Sequence, residues 1–266
     1  MAHPRISQAT SGAESVVGNF IRRKSCYRTK KVNMATGSLS PQSEKLGERQ
    51  NFAARLRGFG PVGMLAIAII LAGAMINSLV AAALVILWVV LSKTPWPEVG
   101  YVRPENYVVT IAGGVAFGAA LKLLLKAVVM PLLGADPINR AYHFLAHNSA
   151  ALPGFLVLVV VGAGWGEETF WRGYLFERLG HRFGSSPATK TIVVLVTSVL
   201  FGMAHYQVQG RDGVVQAIIT GLTFGSIFAC TGRLMFVMIA HAAFDVAAVL
   251  IIYFDIETRI AHLVFR

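Results

Sequence analysis

Phe155-Leu156-Val157-Leu158-Val159-Val160-Val161 leads through Gly162-Ala163-Gly164-Trp165-Gly166 into Glu167-Glu168-Thr169-Phe170-Trp171-Arg172. The apolar run has the composition of a membrane-crossing segment, yet it delivers two adjacent carboxylates. An ionised carboxylate at membrane depth is costly unless it is paired, hydrated or protonated, so acids placed there mark functional sites. Arg172 follows Glu168 by one helical turn and is the local counter-ion to expect.

The rest of the chain agrees with a bilayer as its solvent. It is 55% hydrophobic and 14% charged, with a mean hydropathy of +0.60, against about 25% charged residues in soluble domains. Runs long enough to cross a membrane, which takes about 20 residues, follow one another: Pro61–Leu91, Tyr107–Leu133, Gly154–Leu179, Ala188–Tyr206, Val214–Cys230 and Leu234–Phe254. These predict an all-α, polytopic transmembrane helical bundle of about six spans. Two N-terminal transmembrane helices fall in residues 60–135 and a helical core in residues 154–254. Asn77 and Ser78 read as too mild to split the first run, so it is one long tilted helix or a span with an interfacial overhang. Connections are short and polar, as at Lys93-Thr94-Pro95-Trp96-Pro97 and Asp136-Pro137, and no internal repeat suggests a transporter built from inverted halves.

The formal charge of +11 is concentrated at the start. Residues 1–59 hold eleven Lys and Arg against three Asp and Glu. They lack apolar periodicity and read as a disordered cytoplasmic tail attracted to anionic lipid, not as a nucleic-acid site. Before Met34 the only acid is Glu14, which suits a transit peptide or an upstream start with the true one at Met34. By the positive-inside trend, six spans would strand Arg172, Arg178, Arg182 and Lys190 on the side opposite this tail. Cys26 and Cys230 imply no disulfide framework, and Cys230 reads as a packing residue.

Three polar groups mark the later helices: Glu167, Glu168 and Arg172; His205 in Phe201-Gly202-Met203-Ala204-His205; and His241 with Asp245, which share a helix face at i and i+4. One Glu, two His and a further carboxylate suit either a divalent metal or a water held by a general base. His143 and His147 also stand at i and i+4, but in a connecting segment, where an interfacial face is the better reading. Lys122 and Lys126 read as snorkelling toward headgroups.

Taken in order, Glu167-Glu168-x-x-x-Arg172, Phe201-x-x-x-His205 and His241-x-x-x-Asp245 on successive apolar helices resemble the CPBP family, the CAAX-processing and bacteriocin-processing intramembrane proteases also called Abi proteins. Trp96-Pro97-Glu98-Val99-Gly100 is similar to the Trp-x-x-Leu-Gly segment common in that family, so the likeness runs from Trp96 to the C-terminus. The resemblance implies an intramembrane endopeptidase in which Glu167 activates water, His205 and His241 orient the water, bind metal or stabilise the oxyanion, and Glu168 pairs with Arg172. Asp245 stands where the eukaryotic CAAX proteases have Asn. An acid cannot donate an amide hydrogen bond, which favours metal ligation or orientation of His241. Glu167, His205, His241 and Asp245 are the metal ligands this implies, for zinc or another divalent ion; a metal-free mechanism fits the same residues, and the zinc signature His-Glu-x-x-His is absent. The partners implied are the bilayer and a membrane-associated peptide or lipidated protein, such as a prenylated CAAX-type, leader or signalling sequence. The setting expected is a bacterial plasma membrane. A membrane scaffold or a proton-coupled transporter using the same cluster is the other function the residues allow.

Overall fold

The computed structural model describes residues 41–265 as a bundle of helices, with no strand among the described residues. The helices are α1 (Pro41–Arg57), α2 (Pro61–Ile76), α3 (Ser78–Ser92), α4 (Tyr107–Leu132), α5 (152–183), α6 (Pro187–Ala204), α7 (Tyr206–Thr231), α8 (Leu234–Tyr253) and the short α9 (Glu257–Ala261). The part of the basic tail before residue 41 lies outside the described residues. Beyond it the expected disorder gives way to α1. Ala53 and Leu56 turn inward at 4% and 9% exposure, and the Leu56 carbonyl accepts a hydrogen bond from the Trp88 indole at 3.2 Å, contacts that offset the entropy of ordering the segment.

The first apolar run is two helices, not one. Asn77 is extended (φ −170, ψ 166), and its side-chain oxygen accepts the Val80 N–H at 2.9 Å, which makes it the N-cap of α3. The mild polar residue that seemed too weak to interrupt the run satisfies the backbone donor that the break exposes. Since Trp88 at the end of α3 reaches back to Leu56 before α2, the pair forms a hairpin. Ile70, Ala81, Val85 and Val89 pack within it and continue to Phe170 and Tyr174 of α5.

Four helices, α4, α6, α7 and α8, are long and apolar enough to cross a membrane, and a fifth is counted when the end of α1 and α2, bent by 57°, are taken together. That is fewer than the six expected. Helices α2 and α3, at 16 and 15 residues, reach only about 24 Å each against a hydrocarbon core of about 30 Å. Helix α5 carries its charged residues mid-length. Large apolar side chains such as Met75, Val108, Val109, Leu158 and Ile192 are exposed, as a lipid-facing surface requires.

The fold-back at Asn77 also removes the charge conflict. It adds one passage between the two ends of the bundle, so the C-terminal part of α5 returns to the side where α1 ends: Arg178 Nη1 donates to the Arg57 carbonyl at 2.7 Å and stacks on Phe59. Lys190 and Arg233 lie at this end too, bonded to the Ala229 carbonyl and Glu105. At the opposite end, Asp136 N–H meets Asp212 and His147 N–H meets the Tyr253 carbonyl.

Two close approaches set the depth of the functional helices. Gly118 of α4 presses on the Ala240 carbonyl of α8, where a Cβ would collide with backbone. In α5, a Cβ on Gly164 would stand 2.7 Å from that of Ala242. Small residues let helix backbones meet in this way inside a bilayer. Cys230, read as a packing residue, is exposed instead.

Candidate active site

Over Leu158–Glu167 and Thr169–Tyr174, α5 is wound in the wider π form, a departure often found at functional sites. Gly164 and Gly166 seat it against α8 and against Ser78 at the start of α3. Thr169 fastens it: its hydroxyl donates to the Trp165 carbonyl at 2.7 Å and meets the Tyr101 hydroxyl at 2.7 Å. Adjacent residues on a helix point in different directions, and here that separates the two acids.

Glu168 turns into the protein and is fully buried. Its Oε1 accepts from Arg172 Nη1 at 2.7 Å and from His241 Nδ1 at 2.6 Å. Arg172 lies over the Phe201 and Phe224 rings at 4.8 and 5.9 Å, so its charge is shared between a carboxylate and two aromatic faces. The expected ion pair is present, with His241 as a second donor on the same oxygen.

Glu167 turns the other way, toward a cavity of about 220 Å³ that is also lined by His205, His241 and Asp245. Its Oε2 is shielded from solvent and has no protein partner. A cavity of that size holds several waters, which a buried carboxylate would bind. Glu167 and His205 also line an adjoining space of about 250 Å³ with Ser78 and Trp171.

The two histidines are oriented from behind. His205 ends α6, and its Nδ1–H donates to the Phe201 carbonyl at 2.8 Å, which leaves Nε2 as the free nitrogen. His241 is held through Nδ1 by Glu168, while its Nε2 lies 3.6 Å from Asp245 Oδ2, too long for a direct hydrogen bond and of a length that water bridges. Phe201 and Phe224 hold the His241 ring between them, at centroid distances of 6.1 and 5.3 Å.

All six candidate residues therefore meet in one place. The metal centre expected of four of them is a different matter. Among the described residues no group of three His, Cys, Asp or Glu is placed to hold a metal ion. Glu168 Oε1 is committed to Arg172 and His241, and His241 Nδ1 is committed to Glu168.

Residues 149–247 match the sequence model of a family described as Rce1-like, type II CAAX prenyl endopeptidase. This stretch is similar to a CAAX protease domain. Every candidate residue from Glu167 to Asp245 falls inside the match, which is narrower than the likeness read from Trp96 onward. No curated protein and no solved structure gives a match. The Trp96–Val99 turn lies outside the CAAX protease match but supports it structurally: Val99 is buried, its carbonyl lies against Gly173 of α5, and the Gly100 carbonyl accepts the Leu234 N–H that opens α8.

Around this domain the two lysines depart from the snorkelling expected of them. Lys126 turns inward onto Glu257 at 3.2 Å and onto the Pro137 carbonyl, and Lys122 donates to Gln216 Oε1 at 3.0 Å. Glu257 also accepts the Asn139 N–H at 2.9 Å and faces His143 Nδ1 at 3.3 Å. His143 therefore caps a structural network outside the candidate site, and His147 does not join it. Gln216 was passed over in the sequence. Its signal is a lone amide in the apolar run Val214–Cys230, matched by a lysine, Lys122, in the apolar α4.

Proposed function

We propose that this chain is an intramembrane endopeptidase that hydrolyses a peptide bond near the C-terminus of a membrane-associated, prenylated CAAX-type protein. One observation carries the reading: each of two adjacent glutamates keeps a buried oxygen without a protein partner, but Glu168 turns inward with its Oε1 neutralised by Arg172 and His241, whereas Glu167 faces the cavity with no ion pair to a described residue. A structural acid has partners; a general base needs a vacancy for water.

In this reading Glu167 takes a proton from a water that also donates to Nε2 of His205, and the hydroxide formed attacks the scissile carbonyl carbon. His241, with a carboxylate at each nitrogen, carries both ring protons and donates from Nε2 to the developing oxyanion. Glu168 and Arg172 hold that ring in place. Asp245 orients it through water, a role open to an acid, which cannot itself donate to an oxyanion. When the C–N bond breaks, protonated Glu167 returns its proton to the departing amine. No step passes through a metal.

The family match favours a peptidase over a scaffold or transporter. The test is purified protein, washed with a strong chelator, incubated in neutral detergent with a farnesylated C-terminal peptide and followed by mass spectrometry. The expected product is the peptide shortened at its C-terminus. No cleavage contradicts the peptidase reading, and cleavage that is lost on chelation and restored by zinc contradicts the metal-free mechanism.

A further inference from the structure

Lys122 is a buried amine, at 6% exposure, that no carboxylate contacts directly; Asp245 and Glu257 act on it only from beyond contact distance. Among the described residues no acid oxygen lies within 4 Å of its Nζ, whose partners are the neutral amide oxygen of Gln216 at 3.0 Å and the face of Phe244 at 5.0 Å. One turn along α4, Lys126 shows the usual arrangement, neutralised by Glu257. A buried charge without a contact ion pair is retained against its desolvation cost only for a reason.

Its position supplies one. The packing of Gly118 on Ala240 brings α4 and α8 together one turn earlier, so Lys122 lies at the level of Phe244, beside Asp245. It lines the cavity that holds Glu167, His205 and His241. It also lines a wider one of about 360 Å³ that continues past Gln209, Gln216 and Asn139 toward Asp136 and Arg140. A peptide with its scissile bond at Glu167 would lead its last residues past this lysine. Lys122 has donors to spare, and Gln216 holds it without cancelling its charge.

We propose that Lys122 binds the free C-terminal carboxylate of the peptide substrate, so that the enzyme recognises a chain end as well as a lipid anchor. This rests on the peptidase reading above. It makes the site a reader of C-termini: an internal peptide bond of the same sequence would lack the anion that a direct ion pair with the buried lysine requires.

The test compares kcat/KM for two farnesylated peptides that differ only in a C-terminal carboxylate or carboxamide, in neutral detergent. A charge-assisted contact predicts that the wild-type enzyme prefers the acid by about 10- to 100-fold. Lys122→Met should bring that ratio close to one, and Lys122→Arg should keep most of it. The wild-type comparison needs no variant, so equal rates on both peptides overturn the proposal even if Lys122→Met fails to fold. A Lys122→Met enzyme with the wild-type ratio also overturns it. So does a wild type indifferent to the end group but inhibited by added phosphatidylglycerol through Lys122, which would give the lysine to a lipid phosphate. Cleavage of neither peptide instead removes the peptidase reading, and this inference with it.

Discussion

Glu168 and Arg172 form the most deeply buried ion pair of the site, and its energetics differ from those of a surface pair. Removing one partner leaves a charge in low dielectric, a loss of roughly 3 to 5 kcal/mol. Because His241 donates to the same carboxylate oxygen, Arg172→Ala should injure both stability and catalysis: it strips the acid of its main counter-ion and loosens the ring that Glu168 orients. We expect a lower melting temperature in detergent together with a fall in kcat. A normal melting temperature would show that the pair is not what holds α5 to α8. The i,i+4 spacing was enough to predict this pair from the sequence. The link to His241 was not legible, because residues 73 positions apart meet only through the packing of α5 on α8.

At the level of the helices, glycine contacts control which faces meet. Gly118→Ala would place a methyl group against the backbone carbonyl of Ala240, which cannot rotate away. Overpacking of this kind costs about 1 to 3 kcal/mol, and it would push Lys122 away from Gln216 and Phe244. Thermal unfolding of the variant in detergent should begin at lower temperature, and wild-type stability would mean that α4 and α8 are looser than described. Most helices could be read from the hydrophobic runs, since about 20 apolar residues have few alternatives. The break at Asn77 could not. An isolated Asn in such a run is a weak signal until its side chain is seen capping α3. Lys122 and Lys126 misled for a related reason: hydropathy gives their depth near a helix end but not the helix face, and the face decides between headgroup and interior.

For the whole molecule, the hairpin of α2 and α3 changes the topology. The ends of α1 and α5 share one side with Lys93, while His147 and the polar cavity residues Asp136 and Arg140 lie at the other. Single cysteines replacing Lys93 and His147 should react with an impermeant maleimide from opposite faces of the membrane. Labelling of both from one face would remove the fold-back at Asn77. The same experiment shows on which side a peptide gains access to the cavity.

The central claim is that two neighbouring carboxylates have different tasks, with Glu167 acting on water and Glu168 holding the site together. Glu167→Gln keeps the shape of the side chain but cannot accept the proton, so single-turnover cleavage of the farnesylated peptide should slow by about 10²- to 10⁴-fold while the melting temperature in detergent stays at the wild-type value. A Glu167→Gln rate within about threefold of wild type, at equal folded concentration, would contradict the assignment of Glu167 as the base.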